Sequence, residues 1–144
     1  MILIDTPIWS LALRRRQHDL NVSESRHVRE WERLVREGGA ALIGPIRQEL
    51  LSGVRDEGAW EQLRTALRPF PGLPLTTEDY ERAAQFFNRC RTRGIAGSAI
   101  DLLICAVSVR YRAPIYTMDA DFRRYAIVLR LKLHTPRPGG KGSA

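Results

Sequence analysis

Met1-Ile2-Leu3-Ile4-Asp5-Thr6-Pro7 opens the chain and decides how the rest is read. A short apolar run halted by an acid, rich in β-branched residues, suits a buried strand ending at Asp5. Thr6 then reads as a helix N-cap and Pro7 as the first helical residue, because proline has no N–H to leave unpaired in the first turn. The unit is strand, acid, helix, and Asp5 is not needed as the cap.

The same alternation continues outward. Asn21 and Glu24 have capping-box spacing before a helix whose Val28, Trp31, Leu34 and Val35 share a face and which Gly38 and Gly39 stop. Residues 40–43 read as a second strand. Gly44-Pro45 opens a helix on which Ile46, Glu49, Leu50 and Gly53 share one stripe, so Glu49 is expected to face inward. Trp60, Leu63 and Leu67 mark a further helix, followed by a Pro-rich connection over 69–74. Thr76 and Asp79 cap the next helix, whose apolar face is read as Tyr80, Ala83, Ala84, Phe87 and Cys90 and whose end carries Arg89, Arg91 and Arg93.

From Ser98 to Tyr111 the pattern is apolar nearly all round, with Asp101 as the interruption, which predicts a buried helix. Residues 115–118 read as a strand, with Asp119 and Asp121 before a short basic helix carrying Arg123 and Arg124. Leu129, Leu131 and Leu133, alternating with Arg130 and Lys132, read as a half-exposed edge strand. Strands alternating with helices predict an α/β fold with a mainly parallel sheet covered on both faces. Sites in such sheets lie beyond the carboxyl ends of the strands. Asp5 and Asp119 stand at such ends and Glu49 and Asp101 in nearby helical turns, so the four are expected to converge.

Composition narrows the chemistry. The 144 residues fit one domain, read as 1–135, and the Pro, Gly and small polar content of 136–144 predicts a disordered tail. Twenty-three Lys and Arg against 16 Asp and Glu, a formal net charge of +7, favour polyanionic partners. Cys90 and Cys105 are too few for a disulfide framework and point to a reducing compartment. Neither a spanning apolar run nor a signal peptide is present, which argues against a membrane and for the cytoplasm. His18, His27 and His134 are too scattered for a zinc motif, and no phosphate-binding glycine loop or nucleophile elbow occurs. Carboxylates against a basic background point to a divalent cation in a polyanion-binding surface, hence to a metal-dependent nuclease.

Each acid also has a plainer reading. Asp5 serves as a polar strand terminator and Glu49 as the partner of an arginine, although an inward acid is costly unless paired or metal-bound. Asp101 has capping-box spacing to Ser98 and favours the helix dipole; Asp119 reads as an N-cap and Asp121 as a first-turn acid. The set of four in matching positions carries more weight than any member.

At these residues the chain resembles the PIN-domain nucleases, most closely the VapC-type toxins of toxin-antitoxin pairs. Ile2-Leu3-Ile4-Asp5-Thr6 looks like the opening strand and first acid, and residues 45–53, from Pro45 to Gly53, like the glutamate helix. Arg93-Gly94 through Asp101 to Ala106 resembles the third block, and Tyr116 to Phe122 the fourth, with Asp119 at its acid and Thr117 at the hydroxyl residue two positions earlier. Pro7 and Cys105 depart from the usual pattern without removing an acid. The resemblance implies a three-layer PIN-like fold, dimerisation, an endoribonuclease dependent on Mg²⁺ or Mn²⁺, and a protein antitoxin that plugs the site, with a hetero-oligomer as a further form. It makes Asp5, Asp101 and Asp119 direct or water-mediated metal ligands, and Glu49 a ligand or water-orienting group. Asp121 is a secondary acid, and Thr6 and Thr117 are supporting hydroxyls.

Arg91, Arg93, Arg123 and Arg124 are the candidate RNA-phosphate contacts. A haloacid-dehalogenase-like phosphatase needs an acid where Pro7 stands, and a receiver domain needs an aspartate that residues 69–77 do not supply. The remaining alternative is a catalytically silent RNA-binding or complex-forming module on the same fold.

Overall fold

A computed structural model of the chain describes residues 1–139. Strand β1 (Ile2–Ile4) leads into α1 (Thr6–Arg14), a 3₁₀ turn at 17–19, α2 (Val22–Arg36), β2 (Ala40–Ala41), α3 (Gly44–Leu51), α4 (Glu57–Leu67), α5 (Thr77–Thr92), α6 (Ala99–Tyr111), β3 (Ile115–Tyr116) and α7 (Asp121–Leu129). The strands pair in the order β2-β1-β3, all parallel, with Leu3 opposite both Ala41 and Ile115. Parallel bridges at Leu42–Gly72 and Ile115–Leu133 extend the two edges. Chain connections leave β1 toward β2 in one direction and return to β3 in the other. Right-handed crossovers therefore place helices on opposite faces and leave a switch point between β1 and β3.

The middle strand is the most enclosed part of the sheet, because Leu3 and Ile4 are fully buried and fix where the acid after them must emerge. Trp9, also fully buried, donates its indole N–H to the Ile4 carbonyl at 2.9 Å and meets Trp31 and Phe70 edge-on. This cluster fixes α1 against the sheet directly behind Asp5. Each aromatic pair of this kind contributes about 0.5–1.5 kcal/mol beyond the area it buries.

Of the three capping-box spacings read from the sequence, those at Asn21/Glu24 and Thr76/Asp79 form complete boxes, whereas at Ser98/Asp101 only Ser98 caps the helix and the Asp101 carboxylate turns to Tyr125. Other local readings need correction. Asp5, and not Thr6, is the N-cap of α1: its backbone is extended and its Oδ1 accepts the Thr6 N–H at 2.8 Å. A carboxylate facing the positive end of a helix is a stronger acceptor than the neighbouring hydroxyl, so the helix starts one residue earlier. On α5 the buried positions are Asp79, Ala83, Phe86 and Cys90, whereas Tyr80 and Ala84 are exposed. The rotation follows from Arg110 of α6, whose guanidinium grips both Asp79 carboxylate oxygens at 2.7 and 2.8 Å. The expected edge strand from Leu129 shrinks to the single bridge at Leu133. Phe122, Tyr125 and Leu129 bury at helical spacing, and α7 runs through Leu129 until Arg130 enters the left-handed region at φ 56°.

Beyond that bridge the chain lies back on α2. Glu30, buried to 2% exposure, meets His134 Nε2 at 2.9 Å and Arg137 Nε at 2.9 Å, and the same Arg137 forks onto Glu37. Of the segment expected as a tail, 140–144 lies outside the described residues. Cys90 and Cys105 are both buried free thiols. Among the described residues no helix is long and apolar enough to cross a membrane.

Candidate functional site

Asp5 leaves the carboxyl end of β1 with 6% exposure and, among the described residues, no ion-pair partner. Its Oδ2 accepts the Thr117 hydroxyl at 2.7 Å, and Thr117 follows β3 on the neighbouring strand. Burial is the main reason its carboxyl titrates at about 6 in place of 3.8; the Thr117 and Thr6 hydrogen bonds oppose the rise, and the Asp101 and Glu49 charges add to it. Thr117 Oγ1, having donated to Asp5, accepts the Asp119 N–H at 3.0 Å, and Asp119 Oδ1 accepts the Asp121 N–H at 2.9 Å. One hydroxyl therefore links two acids on different strands and ties them to the start of α7.

Glu49 enters from α3. Its Oε2 accepts the Thr6 hydroxyl at 2.7 Å, so it reaches the same place as Asp5 through the adjacent residue. The expectation of an inward Glu49 does not hold: Ile46 and Leu50 are the buried positions of α3, and Glu49 is exposed at the cleft rim. Ile46 and Leu50 alone set the buried face of α3, and Glu49, at the edge of that face, turns its carboxylate to the Thr6 hydroxyl.

Asp101 stands in the first turn of α6, half-buried. Ser98 Oγ caps the helix by accepting the Asp101 N–H at 3.0 Å, and the carboxylate Oδ2 accepts the Tyr125 hydroxyl of α7 at 3.2 Å. Desolvation raises its carboxyl above the usual range; the Ser98 and Tyr125 hydrogen bonds work against that, and the Asp119 and Glu49 charges work with it. Tyr125 is almost fully buried, and desolvation together with the Asp101 charge keeps its hydroxyl protonated as a permanent donor. Sequence reading missed Tyr125. Its signal was indirect: a Cβ on Gly97 would collide with a Leu102 methyl and lie 3.2 Å from the Tyr125 hydroxyl, so a larger residue there would have to push the side chains around the Asp101–Tyr125 contact aside.

Asp5, Glu49, Asp101 and Asp119 thus form one electrostatically coupled group, and among the described residues none of them has an ion-pair partner within 4.0 Å. Among the described residues no three His, Cys, Asp or Glu side chains converge closely enough to enclose an ion by themselves. Asp121 differs, pairing with Arg124 at 3.0 Å. Arg91, Arg93 and Arg123 are exposed and make no ion pair among the described residues. Cys105, one turn beyond Asp101, is fully buried, and desolvation pushes its thiol far above the range in which it would react.

A set of acids without ion-pair partners among the described residues, at the switch point of a parallel sheet, agrees with what most of the chain matches: residues 2–128 fit the family model for the PIN domain. The chain belongs to the PIN-domain family. It is 32% identical over 136 residues to a VapC ribonuclease of Mycobacterium bovis and to ribonuclease VapC11 of Mycobacterium tuberculosis, spanning 92% of this chain and 96% of each relative. Solved structures with the same fold include FitAcB of Neisseria gonorrhoeae, with a TM-score of 0.73, 22% identity and coverage of 94% of this chain and 98% of that one. VapBC2 of Rickettsia felis, solved bound to a DNA fragment from its promoter, matches with a TM-score of 0.72, 19% identity and coverage of 93% and 98%. The α/β architecture of this PIN-domain chain, a central parallel sheet flanked by helices, is that of these neighbours.

Proposed function

We propose that this chain is a metal-dependent endoribonuclease, the toxin of a toxin-antitoxin pair, with Asp5, Glu49, Asp101 and Asp119 as its catalytic acids. The observation that carries the proposal is that among the described residues none of these four has an ion-pair partner, in a chain of net charge +7. Buried Glu30 and Asp79 are each met by an arginine, whereas Asp5, buried at the strand end beside the other three, has only hydroxyl and amide donors, a setting that suits an external cation. The VapC ribonuclease relatives support the reaction class, and the VapBC and FitAB neighbours support a protein antitoxin as partner.

The donor set fits Mg²⁺ or Mn²⁺: it is all oxygen, and Asp5 holds its proton only weakly near neutral pH. Mg²⁺ keeps several of its waters and takes one or two carboxylates directly, so acids too far apart to enclose an ion remain suitable through bridging water. Asp5, Asp101 and Asp119 would hold the ion, with Glu49 as a further ligand or the group that orients water. Once bound, the ion supplies positive charge to the phosphodiester and acidifies water.

The chain's own residues do the positioning. Thr117 orients Asp5 and the Asp119 backbone together, Thr6 orients Glu49, and Tyr125 orients Asp101. Asp121 supports the start of α7 as a secondary acid. Arg91, Arg93, Arg123 and Arg124 are proposed to contact RNA phosphates, and the active species to be a homodimer in the cytoplasm, joined by antitoxin into a hetero-oligomer. The domain is proposed to end near residue 135. Incubating total RNA with purified protein and Mg²⁺ or Mn²⁺ tests the reading: cleavage that EDTA and Asp101→Asn each abolish supports it. A folded protein that cuts no RNA with either ion leaves the silent binding module as the better description.

A further inference from the structure

A second concentration of charge lies outside the acidic cleft. Arg26, Arg29, Arg33 and Arg36 fall at i, i+3, i+7 and i+10 of α2, the spacing that keeps side chains on one helix face. With Arg137, Glu30, Glu32 and Gly139 they line a groove of about 510 Å³. Glu30 does not cancel this charge. It is already committed to Arg137 and His134, with Arg33 at 3.6 Å, and Arg137 is shared with Glu37. Arg26, Arg29 and Arg36 are exposed and form no ion pair among the described residues. Arg33 meets Glu30, but like charges one turn apart on a helix destabilise it by a few tenths of a kcal/mol each, so folding gains no ion pair from Arg26, Arg29 and Arg36 among the described residues.

The groove begins beside the strand that carries the site. His27, next to Arg26, meets the Tyr116 hydroxyl at 2.7 Å through Nδ1, and Tyr116 immediately precedes Thr117, which holds Asp5. A cleft lined by unpaired carboxylates repels phosphate, so affinity for a polyanion must come from contacts outside it. Interactions with non-reacting parts of a substrate are the usual source. From Arg26 to Arg36 the helix rises about 15 Å, room for several consecutive phosphates, and the planar arginine fork matches phosphate oxygens well.

We propose that the α2 groove is a second RNA-binding surface, in which Arg26, Arg29 and Arg36 hold backbone phosphates of a substrate strand whose neighbouring linkage lies over the carboxylates. The proposal rests on the RNA-cleaving reading and adds to it where the remainder of the substrate lies. It distinguishes long substrates from short ones, since only a strand that leaves the cleft reaches α2.

The test replaces all three arginines, Arg26→Gln, Arg29→Gln and Arg36→Gln, which keeps helix propensity and touches no buried group. RNA affinity is measured by fluorescence anisotropy in an Asp101→Asn background, so that binding is read whether or not the protein cuts. Expected is a loss of affinity for long single-stranded RNA of tenfold or more, with the salt slope reduced by about 2 at roughly 0.7 per phosphate contact on a single strand. With Asp101 restored, KM for long RNA should rise with kcat unchanged, and cleavage of a tetranucleotide should be unaffected. Unchanged affinity and salt slope would overturn the proposal. So would an equal loss on the tetranucleotide, which would mean damage to the cleft. Loss of binding to an acidic protein partner with RNA affinity intact would also overturn it, in favour of a protein-docking face. Failure of unsubstituted protein to cut any RNA bears on the nuclease reading alone and is read separately.

Discussion

Two kinds of carboxylate meet opposite environments in this chain. Glu30 and Asp79, each 2% exposed, are met by guanidinium groups: Arg137 with His134 for Glu30, and the fork of Arg110 for Asp79. For Glu30, burial alone would raise the carboxyl, but the His134 and Arg137 contacts outweigh it and the net shift is downward; for Asp79 the Arg110 contact dominates from the start. Asp5, buried almost as deeply, has only hydroxyl and amide donors, and its carboxyl is raised to about 6. Asp5 is comparable to Glu30 and Asp79 in burial and charge, and the difference is the partner. Glu30 and Asp79 are neutralised from within, whereas Asp5 keeps only neutral donors, which is the contrast the proposed metal site rests on.

Four substitutions sharpen or break this contrast. Asp101→Asn should have the largest effect: loss of several kcal/mol of transition-state stabilisation, about 10³-fold in RNA cleavage, with the folded state retained by circular dichroism. Asp5→Asn should instead stabilise the metal-free protein at pH 8. The folded state holds the Asp5 proton more tightly than the unfolded chain does, so the associated stability is fully present below pH 3.8 and is lost as pH rises through about 6. A shift of two units corresponds to at most about 3 kcal/mol, visible as a difference between the two proteins' urea midpoints at pH 8 that shrinks toward pH 4. Asp79→Asn should move stability the other way, costing about 2 kcal/mol through the weakened Arg110 contact, and its deficit should fade as pH falls and the carboxyl itself protonates. If the Asp5 and Asp79 substitutions shifted stability in the same direction, the division into two kinds of acid would fail. Tyr125→Phe should have the smallest effect, a fall of about tenfold in kcat at nearly unchanged stability, because one hydrogen bond to a charged group is lost.

What the sequence made legible was local. The strand-acid-helix opening, the capping boxes at Asn21/Glu24 and Thr76/Asp79, and the order of strands and helices all depend on residues a few positions apart. Side-chain direction was less legible wherever a distant residue decided it. Arg110, 31 positions from Asp79, sets the rotation of α5, so that Tyr80 is exposed and Phe86 buried against the expectation from spacing. Glu49 shares the spacing of Ile46 and Leu50 but lies at the edge of their face, and its direction is decided by Thr6, 43 positions away. Leu129 fitted an alternating strand as well as a helix, and burial of Phe122 and Tyr125 on the same face decided for the helix. Tyr125 was invisible as a site neighbour because its partner lies 24 residues away, and Gly97, which makes room for it, looks like any loop glycine.

The claim that the unpaired acids await a divalent ion is tested most directly by Mn²⁺ titration of the purified, chelator-treated protein, followed by calorimetry or electron paramagnetic resonance at pH 8. The account predicts saturable binding that Asp5→Asn and Asp101→Asn each abolish or weaken strongly and that Asp79→Asn leaves intact. Absence of Mn²⁺ binding, or binding that survives both cleft substitutions, would contradict it.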